Sequence, residues 1–285
     1  MWKQQVTVMA LIDLLGREWF LREQRKAPAS RHPVARWVQA YDAAVRHPPA
    51  GSTLLPGGGH SFEPDGAVQS LLCLARDVDR VSDMPKALAR RLRSGAGFQA
   101  ARYELAVASI FTAAGFDLEW QRSKTARHVE FFACGRDGAR IAVEAKSRVR
   151  GGVLGAREGA PADAEEVGIR KLLKRALQQL PPDMPGAVFV DVNLPIRRRD
   201  YVRKGMWRVE LKRLVDELER EGTEADPHDY SLFFVTNFAW YFDEAGQAQP
   251  EAAEFTIPNW SRHPIAVPTA MRILDAVNRY PSVEN

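Results

Sequence analysis

Two stretches near the middle of the chain, His128-Val-Glu-Phe-Phe-Ala-Cys134 and Ile141-Ala-Val-Glu-Ala-Lys146, decide how the sequence folds. Both are short and rich in β-branched and aromatic residues, which is typical of strands. The segment between them, Cys134-Gly-Arg-Asp-Gly-Ala139, consists largely of turn residues. The sequence therefore predicts a β-hairpin at this point.

One face of this hairpin carries charged side chains. Strand side chains alternate between faces, so Glu144 and Lys146 emerge together, and the hairpin places Glu130 beside them. Carboxylates that converge among apolar residues are costly unless a cation binds them, and Mg²⁺ prefers one or two carboxylates with water and phosphate oxygens. The residues predict a metal site with a lysine, suited to phosphodiester hydrolysis. The alternative is a solvent-exposed ion pair between Glu144 and Lys146 on an edge strand.

The hydrophobic periodicity from residue 96 onward predicts an α/β region. A helix is predicted at Phe98–Ala114, ending at Gly115. The following predicted elements are strands at 116–121, 128–134 and 141–146, a helix at 164–180, a strand at 187–192, a helix at 206–221 and a strand at 230–238. Their order is α-β-β-β-α-β followed by α-β.

The motif and the element order together resemble the PD-(D/E)xK nuclease superfamily, over residues 98 to 240. The pattern of that family is an acid on a helix, an acid on one strand, and acid-x-lysine on the next. Glu104, Glu130 and Glu144-Ala145-Lys146 would stand at these positions, Glu130 where the family usually has aspartate. The resemblance implies a restriction-endonuclease-like αβββαβ core, in which a mixed sheet is flanked by helices.

The resemblance also implies metal-dependent hydrolysis of nucleic acid, with DNA favoured, Mg²⁺ as the cofactor and Mn²⁺ able to substitute. Glu130, Glu144, the Ala145 carbonyl and Glu104 would hold metal, and Lys146 would position or activate the attacking water. The alternative for Glu104 is a solvated glutamate on a helix face.

Gln179 lies on the apolar side of the predicted 164–180 helix and would support the site, as a glutamine does in some nuclease subfamilies. The alternative is an ordinary residue at the helix boundary. Acid-x-lysine alone is a short motif, and Glu210-Leu-Lys212 fits it too. That copy lies in a helical pattern, where residues two apart point to different sides, so it does not predict a joint site.

The charge of the chain is unevenly distributed. The formal net charge is +4, but residues 1–205 carry +11 and residues 206–285 carry −7. A basic body suits a polyanion such as DNA, because each neutralised phosphate releases counterions. Two basic stretches that follow predicted strands are expected to contact phosphates, the alternative being solvated charged loops; their arginines are Arg148, Arg150, Arg197, Arg198 and Arg199.

Residues 1–95 are predicted to form a helical region, separate from a nuclease-like domain with a C-terminal extension at residues 96–285. Its helices are predicted at Val6–Lys26, Val34–Arg46, Ala67–Val81 and Pro85–Arg93. The loop at residues 48–66 contains three consecutive glycines but lacks the Gly-Lys-Ser/Thr ending of a phosphate-binding loop, so a flexible linker is predicted. The helical region would contribute substrate choice, a homodimer contact or a contact with a protein partner.

Composition predicts a cytoplasmic protein without membrane contact. No run reaches the ~18 apolar residues that a membrane helix needs. The apolar start at Val6–Leu15 is interrupted by Asp13, which argues against a signal peptide. Cys73 and Cys134 are expected to be free buried thiols.

The sequence leaves a second class of function open. A nuclease fold without catalysis would serve as a module that binds nucleic acid or a protein, for example in a defence or toxin system. The choice between DNA and RNA, the sequence specificity and the endo or exo mode are not set by these residues.

Overall fold

The computed structural model describes residues 2–55, 59–61, 66–81, 83–121, 128–150, 167–193, 206–238 and 251–280. Within these ranges the chain forms helices on both sides of a mixed β-sheet. The prediction of an α/β protein with a mixed sheet flanked by helices is confirmed. The basic stretch at residues 197–199 lies outside the described residues.

The N-terminal part of the chain is helical, with one break that the periodicity did not predict. Gly16 has a backbone φ of 91°, a left-handed conformation that glycine adopts without strain, and it divides the predicted first helix in two. The helices are α1 at Trp2–Leu15, α2 at Arg17–Gln24, α3 at Pro33–Arg46, α4 at Gly66–Arg80 and α5 at Lys86–Leu92, with a 3-10 turn at Pro28–Ser30.

The glycine-rich loop contains structure of its own. Strands β1 at Thr53–Leu55 and β2 at Gly59–Ser61 pair as a short antiparallel hairpin. The predicted linker thus contains two short paired strands, whose six residues are too few to leave a periodic signal.

The main sheet has six strands in the order β3-β4-β5-β6-β7-β8 within the described residues. Strands β3, β4 and β5 are antiparallel, β5, β6 and β7 are parallel, and β8 is antiparallel to β7. The strands are β3 at Phe116–Trp120, β4 at Phe131–Gly135, β5 at Arg140–Ser147, β6 at Gly186–Asp191, β7 at Leu232–Asn237 and β8 at Glu251–Thr256. The helices are α6 at Phe98–Ala113, α7 at Ile169–Leu177, α8 at Met206–Glu221 and α9 at Val267–Arg279.

Two hydrophobic clusters cover the two faces of this sheet. Every residue of β6 and β7 is buried, as expected of central parallel strands that are packed on both faces. Helix α6 is buried over nearly its whole length, since the sheet, the N-terminal helices and α9 surround it. Helices α7 and α8 pack on the opposite face.

The helical region shares its core with the sheet. One continuous cluster joins apolar residues of α1, α3 and α4 to α6, to one face of the sheet and to α9. A buried polar contact adds to it: the hydroxyl of Tyr280 donates to Asp77 Oδ2 at 2.6 Å. The division of the chain at residue 95 stays a prediction. Among the described residues, no helix has both the length and the apolar character needed to cross a bilayer.

Candidate active site

The acidic hairpin lies in the middle of the sheet. In β5, Val143 and Ala145 belong to the cluster that contains α6, and Ala142 belongs to the cluster that contains α7. Alternation therefore places Glu144 and Lys146 on the α7 side. Strand β5 pairs with both β4 and β6, so it is not an edge strand.

Glu144 and Lys146 form a buried ion pair. Glu144 is 0 % exposed, and one of its carboxylate oxygens, Oε1, accepts a hydrogen bond from Lys146 Nζ. Its other oxygen, Oε2, is buried and has no hydrogen-bond partner among the described residues. Burial raises the pKa of the Glu144 carboxyl, against the opposing effect of the Lys146 ammonium. The alternative of a solvent-exposed ion pair is wrong, because the strand is central and the carboxylate is fully enclosed.

Glu130 lies beside this pair at the start of β4. It precedes Phe131, which pairs with Val143, and its backbone N–H donates to the Val143 carbonyl at 3.1 Å. Burial raises the pKa of the Glu130 carboxyl well above its ordinary value, and the charges of Glu104 and Glu144 raise it further. The Glu104 carboxylate on α6 is thus close enough to raise the pKa of both Glu130 and Glu144.

Glu104 has a partner that the sequence did not indicate. Its carboxylate accepts two hydrogen bonds from Arg91 of α5, with NH1 to Oε2 at 2.6 Å and NH2 to Oε1 at 2.5 Å. The Glu104 side chain is 7 % exposed and the Arg91 side chain is 42 % exposed. The alternative of a solvated glutamate is therefore wrong, but both oxygens of Glu104 are engaged with an arginine from the helical region.

Gln179 contacts the lysine of the pair. Helix α7 ends at Leu177, so Gln179 lies just beyond it, not within it as predicted. Its Oε1 accepts from Lys146 Nζ at 3.0 Å. The sequence position of Gln179 on the apolar side of the helix was the signal that pointed to this contact.

The second acid-x-lysine copy has a structural role. It lies on α8, where Glu210 accepts hydrogen bonds from the backbone N–H groups of Val167 at 3.0 Å and Ile169 at 2.7 Å. A carboxylate in this position satisfies N–H groups at the start of α7 and interacts favourably with the helix dipole. Lys212 is exposed.

The two described arginines that follow β5 differ in exposure. Arg150 is 7 % exposed, and its backbone is held from both sides by the Gln99 amide, with both hydrogen bonds at 2.9 Å. It offers little surface to a phosphate. Arg148 is partly exposed, and its carbonyl accepts from Asn193 Nδ2 at 2.7 Å. The phosphate contacts predicted for both stay predictions.

A further buried acid, Asp191, lies where β6 ends, and no sequence pattern indicated it. Asp191 accepts hydrogen bonds from the Phe238 N–H at 2.8 Å, from Thr236 Oγ1 at 3.2 Å and from Ser147 Oγ at 3.3 Å. Burial raises its pKa to about 6, against the nearby charge of Arg102. This carboxyl links the ends of β5, β6 and β7.

Both cysteines are free thiols, Cys73 buried and Cys134 partly buried. Among the described residues, no three His, Cys, Asp or Glu side chains are grouped closely enough to hold a metal ion. Ala145 is buried and lies between Glu144 and Lys146 in β5. Its neighbour on β6 is Phe189.

Comparison of the chain with protein-family models, with curated proteins and with solved structures found no match.

Proposed function

We propose that this protein hydrolyses phosphodiester bonds of nucleic acid, with DNA favoured, at a site formed by Glu144, Lys146 and Glu130. The observation that carries the proposal is the buried Oε2 of Glu144, a carboxylate oxygen that lies beside a second carboxyl group and has no hydrogen-bond partner within the described part of the chain. A buried acceptor without a partner is costly, and a hard cation is the ligand that would satisfy it.

The arrangement of the sheet supports the proposal. A helix, three antiparallel strands, a second helix and a parallel fourth strand follow one another, with the two helices packed on opposite faces. This order is the one expected of a restriction-endonuclease-like core, with the candidate residues on its helix, directly before its second strand and on its third strand. Strands β7 and β8 and helices α8 and α9 would be additions to such a core.

Two carboxylates fit a magnesium ion that keeps water and phosphate oxygens as its other ligands. Glu144 and Glu130 would hold it, whereas Glu104 already has both oxygens on Arg91. When bound, the ion would polarise the phosphate and lower the pKa of a coordinated water. Burial favours protonation of Glu130, so its proton has to leave before it can act as a ligand.

Lys146 is held where it can act on the phosphate or on the attacking water. Its ammonium has three N–H donors, of which one reaches Glu144 and one reaches Gln179. The third is available to a phosphate oxygen or to water. Two fixed acceptors restrict the flexible side chain, so the donor is positioned before substrate arrives.

The test is cleavage of plasmid, linear duplex and single-stranded DNA, and of RNA, with Mg²⁺, with Mn²⁺ and with chelator. Glu144→Gln and Lys146→Met are each expected to lower the rate by at least about a hundredfold. Lys212→Met is the matched control, because it removes the lysine of the helical motif copy from an exposed position. Equal rates for Lys146→Met and Lys212→Met would refute the assignment.

A nucleic-acid-binding module without catalysis is the second candidate. The observation in its favour is that Lys146 and Arg91 already engage Glu144 and Glu104, as internal cations in place of a metal. Such a module would bind DNA with equal affinity in Mg²⁺ and in chelator, and would cut none of the substrates.

A further inference from the structure

The helical region contributes a cation to the acidic site, which is the group formed by Glu104, Glu130, Glu144 and Lys146. Arg91 of α5 is separated by 13 positions from Glu104, and its guanidinium makes a two-pronged contact with that carboxylate. Arg91 also lies close enough to Glu130 for the two charges to influence each other. The site therefore has two cations, Arg91 on one side and Lys146 on the other, around three carboxyl groups.

Arg91 is more exposed than Glu104, so the arginine is the partner that faces solvent. The Glu104 side chain is 7 % exposed, whereas 42 % of the Arg91 side chain is exposed. A guanidinium has five N–H donors, and the contact with Glu104 uses only one on each of NH1 and NH2. With respect to the residues that the structure describes, further donors of Arg91, including Nε–H, remain for another acceptor.

A guanidinium held by a buried carboxylate is well suited to bind a phosphate. Its planar fork matches two phosphate oxygens, and the contact with Glu104 fixes its orientation, so less side-chain entropy is lost on binding. A solvent-exposed ion pair contributes little to stability, so stability alone does not explain why the Arg91 side chain is left accessible.

We propose that Arg91 is a phosphate-binding residue that the helical region adds to the acidic site, and that Glu104 positions its guanidinium. The inference rests on the proposed action on nucleic acid and names a contact for its substrate. It also gives Glu104 a role that differs from metal binding: Glu104 acts through Arg91.

The experiment measures binding of fluorescein-labelled single-stranded and duplex DNA by anisotropy, in chelator and over a series of salt concentrations. Arg91→Gln is expected to weaken binding about tenfold and to lower the salt slope by about one unit, the effect of one lost phosphate contact. Arg90→Gln is the matched control, because Arg90 is an exposed arginine on the same helix. Equal affinities of Arg91→Gln and Arg90→Gln would overturn the inference.

A double variant separates binding from structure. Arg91→Gln alone leaves Glu104 buried without its cation, which is destabilising. In Arg91→Gln/Glu104→Gln two amides face each other, so the unpaired charge is removed while hydrogen bonding is kept. The double variant is expected to bind DNA as weakly as Arg91→Gln; recovery of wild-type affinity would show that Arg91 serves only the fold and would overturn the inference.

The inference and the proposed function fail in different ways. Loss of binding by Arg91→Gln in a protein that cuts no substrate in Mg²⁺ would support the phosphate contact and refute the hydrolysis. Cleavage by the wild type, together with equal DNA affinities of Arg91→Gln and Arg90→Gln, would support the hydrolysis and overturn the phosphate contact. A wild-type protein that binds neither DNA probe in chelator would overturn the inference whatever its activity.

Discussion

Replacing Asp191 by asparagine is expected to change how the free energy of unfolding depends on pH. The carboxyl is 0 % exposed, and burial raises its pKa from 3.8 to about 6 although Arg102 and three hydrogen bonds oppose the shift. The folded state thus holds this proton more tightly than the unfolded state does. The stability that Asp191 contributes is present below pH 3.8 and is lost as the pH rises through about 6.

The size of the effect follows from the shift. A difference of about two pKa units between folded and unfolded states corresponds to about 3 kcal/mol. Asparagine cannot ionise, and its side-chain oxygen can still accept from the Phe238 N–H. The free energy of unfolding of Asp191→Asn, relative to wild type, should therefore rise by about 3 kcal/mol between about pH 3 and pH 7.

Urea unfolding at both pH values, followed by tryptophan fluorescence, measures this difference. Asp191→Ala is the control, because it removes the acceptor too and leaves the Phe238 N–H unpaired, at a cost of about 1–3 kcal/mol at either pH. A difference between Asp191→Asn and wild type that stays constant over this pH range would refute the reasoning, since it would mean that the carboxyl ionises as freely in the folded protein as in the unfolded one.

Three further predictions concern His32, Glu210 and Glu130. Burial lowers the pKa of His32 from 6.5 to about 4, so the free energy of unfolding of wild type, relative to His32→Asn, should fall by about 3 kcal/mol as the pH falls through this window; asparagine keeps an acceptor for the Val34 N–H, and urea unfolding of both proteins on either side of the window tests this. Glu210→Ala should lower stability by about 1–2 kcal/mol through loss of the contacts at the start of α7, with Lys212→Ala unchanged in the same thermal scan. Glu130→Gln should unfold at the same or a higher urea concentration than wild type, because burial and neighbouring carboxylates disfavour its charge, yet lose cleavage; a variant that cuts at the wild-type rate would show that Glu130 is not a ligand.

Sequence patterns predicted the elements whose signal is local. Strand alternation placed Glu144 and Lys146 on one face, and helical periodicity gave α8 with the bounds that the structure has. The C-terminal helix α9 was missed, although its apolar residues recur at helical spacing and Pro268 stands at its first turn, where proline is favoured. The spacing of Ala270, Ile273 and Val277 along one face is the pattern that predicts this helix.

The contacts between charged side chains of the site could not be predicted from such sequence patterns. The pairing of Arg91 with Glu104 depends on how α5 packs against α6, and no spacing rule connects two residues 13 positions apart on different helices. The same holds for Asp191, whose partners lie at the ends of β5 and β7. In sequence it is one acidic residue after a run of apolar ones.

The contact of α4 with Tyr280, the residue after α9, has a consequence for the folding of the chain during its synthesis. Tyr280 reaches Asp77 across 203 positions, and Arg76 reaches the Tyr280 carbonyl across 204. At roughly 5–20 residues per second, a ribosome needs on the order of ten to forty seconds to proceed from one partner to the other. During that interval the part of α4 that contacts Tyr280 lacks this partner. We therefore expect the packing around Arg76 and Asp77 to be completed only after the C-terminal helix has been synthesised.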